Sequence, residues 1–317
     1  MQAFFDLEGP LSPQDNAYEV SGLIRNGYKI FEIISRYDDI LTLESRAGYE
    51  PGDTLKLIVP FLVYHNITDN DIKSVSKKAK IVQGAKRLIS ELKTDNWNVY
   101  IISTSYIQHA MNIAEKLEVK PENVACTELY LEKFRGLEGI ELVAEVEGRI
   151  LEIPEKSGDD TIKEILDSFF FKEFQKTELG KAFNKIEVMG GTRKATVLRE
   201  FLKRDGGEIK SSVAIGDSIT DYKMLREVKH KGGLAIVFNG NSYSLPYGDV
   251  AVASESIYSL KPLFNAFSEG SKSKAVEIAG FKNNMKYDVI GKSIHNDLLE
   301  THSKHRKLVR GEAWKLG

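Results

Sequence analysis

Cysteine is almost absent: one residue, Cys126, in a chain of 317. A lone cysteine excludes an internal disulfide and any zinc site built from several thiolates. An excess of charge is missing too, since 44 Lys and Arg face 46 Asp and Glu for a net −2. That balance gives no overall pull toward nucleic acid or anionic lipid. Long hydrophobic runs are also lacking. The longest apolar stretch, residues 55–64, contains Lys56 and Pro60 and falls well short of the ~20 residues that span a bilayer. No basic segment precedes the apolar start, and Asp6 interrupts it, so no signal peptide is read. Internal repeats and low-complexity tracts are absent. These absences lead us to expect a cytoplasmic protein that neither binds nucleic acid nor inserts into a membrane, and make Asn66-Ile67-Thr68 a chance sequon.

What is present is a globular composition, 42% hydrophobic and 28% charged, long enough for one large domain or two ordinary ones. The chain opens on a short apolar strand leading into Asp6-Leu7-Glu8-Gly9-Pro10-Leu11. Helical periodicity then runs from Tyr18 to Leu41, and further helices are expected from Asp53-Thr54 through Tyr64 and from Asp69 through Ala79. An α/β rhythm follows: helix 82–93, strand 99–102, helix 107–117, strand 124–126. Residues 142–153 alternate weakly, and 161–174 form an apolar-faced helix whose Phe169-Phe170-Phe171 and Phe174 read as packing residues. A helix over 193–203, strand 212–215, helix 221–228, strand 234–238, edge strand 250–253 and closing helix 257–267 complete the pattern. Strands alternating with helices predict a doubly wound parallel, Rossmann-like α/β sheet. The expected organisation is a core of 1–16, 82–134 and 182–267, a helical cap at 17–81, a second insertion at 135–181, and a polar helical tail at 268–317.

Chemistry-bearing residues recur where strands end. Asp6 and Glu8 alternate onto the same side of the first strand's end. Ser103-Thr104-Ser105 follows strand 99–102, and Gly216-Asp217-Ser218-Ile219-Thr220-Asp221 follows strand 212–215. Lys194 lies at the start of the helix before that strand. In open α/β sheets, ligands bind outside the carboxyl ends of the strands. Each piece has a plainer reading: an acidic turn, helix caps, a solvated lysine. His65 and His109 read as surface or core polar groups, with substrate contact as the alternative, the His302/His305 pair as a poor metal site, and Lys304, Arg306, Lys307 and Arg310 as a solvated basic face or a docking surface.

In this order, however, the pieces resemble the haloacid dehalogenase (HAD) superfamily, capped phosphatase type. Its four motifs match Phe4-Phe5-Asp6-Leu7-Glu8-Gly9-Pro10-Leu11, Tyr100-Ile101-Ile102-Ser103, Lys194, and Ala214 through Leu225 with Gly216-Asp217-Ser218 and Asp221. A narrower resemblance, carried by the same opening and by Asp15-Asn16-Ala17, is to archaeal proteins named as subunit R of an energy-converting hydrogenase A. The superfamily match implies a Mg²⁺-dependent phosphohydrolase acting on a small phosphorylated metabolite. Asp6 would be the nucleophile that becomes an aspartyl-phosphate, and Glu8 the general acid and base. Ser103, Thr104 and Lys194 would bind the phosphoryl group. Mg²⁺ would sit on Asp6, Glu8 (through its backbone carbonyl), Asp217 and Asp221. The family's usual second acid is Asp. Glu8 therefore leaves open a non-catalytic or regulatory subunit of a hydrogenase complex, and homo-oligomerisation is equally open. Gly9 and Gly22 are candidate hinges for a cap, and Gly190-Gly191 before Lys194 suggests backbone N–H groups suited to an anion.

Overall fold

A computed structural model describes residues 1–46, 48–154, 157–281, 287–289 and 296–315. Among the described residues, seven strands form one sheet in the order β3-β2-β1-β4-β5-β6-β7. They are β1 (Gln2–Phe5), β2 (Asn98–Tyr106), β3 (Val124–Thr127), β4 (Ser212–Gly216), β5 (Leu234–Phe238), β6 (Val250–Val252) and β7 (Tyr287–Val289). The first six run parallel and β7 adds antiparallel to the β6 edge. The doubly wound parallel sheet expected from the sequence is therefore present, with one further strand inside the segment read as a helical tail.

Alternation along the strands explains why both sheet faces are covered. Ala3, Phe5, Val99, Ile101, Val213, Ile215, Leu234 and Ile236 point into one layer, packed against the helices Ala85–Thr94, Ile107–Lys116 and Lys261–Phe281. Their neighbours Phe4, Tyr100, Ile102, Ala214, Ala235 and Val237 point into the other, against Thr192–Arg204 and Tyr222–His230. Strands buried on both faces read as near-continuous apolar runs, as Ala3 to Phe5, Val99 to Ile102, Val213 to Ile215 and Leu234 to Phe238 do here.

The helices Asn16–Ser21, Gly27–Leu43, Thr54–Leu57, Val59–Tyr64 and Asp69–Lys77 follow β1. Several helix signals shift by a few residues. Thr68, not Asp69, caps the last of these, in a capping box with Asp71. Residues 54–64 break in two at Ile58, ahead of Pro60. Residues 142–153, which alternate weakly in sequence, lie in a helix, Ile140–Glu152, that buries Val143, Val146 and Ile150 at helical spacing. Phe169, Phe170, Phe174 and Phe183 stack on one another in a single apolar cluster that also holds Phe31, Ile34, Tyr37 and Phe61. Residues from 17–81 and from 135–181 thus share one core. Among the described residues no helix is long and apolar enough to cross a membrane.

Candidate active site

β1 lies inside the sheet between β2 and β4, where the strand order reverses. The Asp6 N–H donates to the Ile215 carbonyl at 2.9 Å, which fixes Asp6 just beyond the end of β1 and beside the end of β4. Lys194, on the first turn of Thr192–Arg204, is fully buried. Its Nζ donates to Asp6 Oδ1 at 2.6 Å and to Asp221 Oδ1 at 2.7 Å. The other Asp221 oxygen accepts from the backbone N–H groups of Asp217 and Ser218, at 3.0 and 3.1 Å. Lys194 therefore bridges the first and last of the four matched segments.

Electrostatics follows from this burial. Asp6 is pushed up to about 7, first by desolvation and then by the charge of Asp221, with Lys194 working in the other direction. Burial opposes the charge on Lys194, yet Asp221 and Asp6 hold its pKa above the ordinary lysine range. Both groups shift upward for different reasons: desolvation and anionic neighbours for Asp6, anionic partners for Lys194. Glu8 is pushed up to about 8, mainly by burial and then by Asp15. Its Oε1 accepts from the Asn16 N–H at 2.9 Å, and Asp15 caps the helix that begins there.

Asp6, Asp217 and Asp221 each offer a carboxylate oxygen, all within 4.8 Å of one another. Asp217 Oδ1 is buried with no hydrogen-bond partner, a condition that costs about 1–3 kcal/mol unless a ligand answers it. Three hard oxygen donors with one left bare fit a hard divalent cation. The Glu8 side chain lies outside this carboxylate cluster. Beyond Leu7 the chain turns sharply through Ser12, with the Gly9 N–H donating to the Ser12 carbonyl at 2.7 Å and the Ser12 N–H to the Leu7 carbonyl at 2.8 Å. Gly9 has φ +102°, and a Cβ there would stand 2.2 Å from Asp217 Oδ2. Gly22 has ordinary helical φ, and a Cβ there would meet the Tyr28 hydroxyl, so it is a packing glycine.

Ser103 and Thr104 divide their roles. Ser103 is fully buried and its Oγ accepts from the Ser105 N–H at 3.1 Å. Thr104 lines the cavity above Asp6, and its Oγ1 is buried without a partner. Ser35, Asp38 and Thr54 line the same cavity from the helical segment, together with Glu8, Asp15 and Arg310. Burial pushes Asp38 up to about 7, and the Tyr49 hydroxyl donates to it.

Several sequence expectations are corrected. The N–H groups before Lys194 are already used: Gly190 donates to Val188, Gly191 to Thr220, and Thr192 to Glu50 Oε2. The Thr192 N–H is thus occupied by the chain's own Glu50 carboxylate. The two histidines, by contrast, keep their plainer reading: His65 pairs with Glu147 at 2.8 Å, and His109 is buried against Ser76 Oγ at 3.1 Å. The basic stretch at the C-terminal end divides: Lys304 and Lys307 are exposed, as a solvated face would be, but Arg306 and Arg310 are buried, and both reach Asp217 Oδ2. Their signal in the sequence is spacing. His302, Arg306 and Arg310 stand four apart and so share one face of the helix Asn296–Arg310.

The fold is that of the HAD-like hydrolases. A solved structure of a phospho-aspartyl intermediate analogue of phosphoserine phosphatase superposes with a TM-score of 0.53, at 17% identity, over 82% of this chain and 97% of that one. A probable phosphoserine phosphatase from Vibrio cholerae gives 0.51 and 15%, over 84% and 64%. Gene product AF1437 from Archaeoglobus fulgidus gives 0.87 at 30% identity, over 100% of this chain and 98% of that one. The chain belongs to the same family as that archaeal gene product. None of these three descriptions names a hydrogenase. No family model and no curated protein matches the sequence.

Proposed function

We propose that this protein is a Mg²⁺-dependent phosphomonoesterase that works through an aspartyl-phosphate on Asp6 and acts on a small phosphorylated metabolite. The observation that carries the reading is the buried Asp6–Lys194–Asp221 bridge at the carboxyl end of the central strands. The fold shared with a phosphatase solved as a phospho-aspartyl analogue supports it.

In this reading Lys194 engages Asp6 Oδ1, which leaves Oδ2 to attack phosphorus. The ester bond to the leaving oxygen breaks as the acyl-phosphate bond forms. Lys194 also brings a fixed positive charge to the equatorial phosphoryl oxygens, in a site dry enough for it to count. Thr104, with its partnerless hydroxyl, donates to one of those oxygens, and Ser103 supports the same turn. Glu8, with a pKa near 8, holds a proton at neutral pH and delivers it to the leaving oxygen. It then takes one from the water that hydrolyses the acyl-phosphate. Asp6, Asp217, Asp221 and the Glu8 backbone carbonyl would hold Mg²⁺. When bound, the ion offsets the repulsion between the carboxylate and the phosphate dianion. Residues 17–81 and 135–181 together form the cap in this proposal, with Ser35, Asp38 and Thr54 facing the leaving group.

Phosphate release from an aryl phosphate in the presence of Mg²⁺ tests the reading. Asp6→Asn should abolish release while the circular dichroism spectrum stays unchanged. Release at the wild-type rate would remove Asp6 from the role of nucleophile.

A further inference from the structure

The acid cluster already has counter-ions of its own. Lys194 answers Asp6 and Asp221, while Arg306 and Arg310 both turn to Asp217 Oδ2, through Nη1 in each case. Both arginines come from the helix Asn296–Arg310 and are 2% and 8% exposed, so neither shares its charge with bulk water. Arg306 is further held by the carbonyls of Trp314 (2.9 Å), Asp217 (3.3 Å) and Asn239 (3.4 Å). His302, one turn earlier, accepts from the Gly240 N–H at 3.0 Å, and Leu298 and Leu299 pack against the Phe4 and Tyr100 layer. The helix is thus seated on the end of β4 and the loop after β5 by a polar face and an apolar one.

The charges decide what this seating does. With the helix docked, three carboxylates meet three cations and the cluster is neutral. Without the two arginines it carries two negative charges, the complement of one divalent cation. Two guanidiniums and one dication deliver the same charge to the same carboxylate, and like charges at this range repel strongly in a buried site. Glu8 and Asp15 line the same cavity as Arg310 and would lose its field when the helix leaves.

We propose that the C-terminal helix is a built-in counter-ion that competes with a divalent cation at Asp217. Cation binding loosens the helix and helix docking weakens cation binding, by the same factor in both directions. The inference rests on the metal-site reading given above. It adds that the cation-free site is closed by the chain itself.

The test uses the full chain and reads binding, not turnover. Mg²⁺ or Mn²⁺ is titrated calorimetrically into the wild type, Arg306→Met/Arg310→Met and Arg306→Lys/Arg310→Lys. The methionine pair keeps length and removes charge, so it should bind the ion at least about tenfold more tightly. The lysine pair keeps the charge and should bind no more tightly than the wild type. In the wild type, hydrogen exchange over residues 296–310 should quicken at saturating Mg²⁺. Unchanged or weaker binding by a folded methionine pair overturns the proposal, as does exchange that saturating Mg²⁺ leaves unchanged. If the methionine pair does not fold, exchange in the unaltered chain decides alone. A chain that shows this coupling yet hydrolyses no phosphate ester would remove the phosphatase reading and leave the counter-ion standing.

Discussion

The Glu50 carboxylate accepts from both the N–H and the hydroxyl of Thr192, at 3.1 and 2.6 Å, although 142 residues separate the two. Lys223 adds its ammonium at 3.0 Å. Glu50 belongs to the helical segment, while Thr192 and Lys223 belong to the sheet's own helices, so the contact is a latch between the two.

Burial pushes the Glu50 pKa up, but Thr192 and Lys223 hold it below the ordinary 4.5. A depressed carboxylate contributes stability above pH 4.5 and loses it as pH falls through the folded-state value. Glu50→Gln should therefore cost about 1 kcal/mol at pH 7, discounted for the latch's partial exposure. Urea unfolding of both proteins should show that gap narrowing below pH 4.5. A gap that stays constant to pH 3 would mean that the ionised latch contributes nothing.

Gly9 offers a steric test of the first loop. A methyl there meets Asp217 Oδ2 at 2.2 Å on a backbone with φ +102°, so both sterics and conformation oppose it. Gly9→Ala should destabilise the fold by about 1–3 kcal/mol and lower turnover by more than that loss explains, because Asp217 must move. Comparing its urea midpoint with its phosphate release separates the two effects. An alanine variant with wild-type stability would contradict the observed close approach.

His109 gives a prediction remote from the chemistry. Burial pushes its pKa down to about 3 from an ordinary 6.5, so the folded state keeps it neutral where the unfolded chain takes a proton. Below pH 6.5 the unfolded state therefore gains. The unfolding free energy of the wild type, relative to His109→Asn, should fall by about 1.4 kcal/mol per pH unit once the unfolded histidine is fully charged. A difference that stays flat between pH 7 and 4 would show that His109 titrates normally.

The sheet was legible because strands buried on both faces are written as short apolar runs, as in Val99 to Ile102 and Leu234 to Phe238. Asp6 and Asp217 were legible because each stands immediately after such a run. Other features depend on partners that sequence order does not reveal. Glu50 looks like a loop acid until Thr192 and Lys223 arrive beside it. Arg306 and Arg310 read as solvent-facing charge because their carboxylate lies 89 and 93 residues upstream. Residues 142–153 misled for a different reason. Polar residues interrupt their apolar face, and only the packing of Val143, Val146 and Ile150 shows its helical period. β7 lies in a stretch whose polar composition gave no strand signal.

The shared core of the two helical segments also constrains the order in which the protein can be made. Phe31, Ile34 and Tyr37 emerge from the ribosome long before Phe169, Phe170 and Phe183, yet all belong to one cluster. During synthesis the early helices must wait, with an apolar face uncovered, for well over a hundred residues. The loop closures involved are non-local and therefore slow. Nascent chains cut short before Phe183 should be the most aggregation-prone species this gene produces.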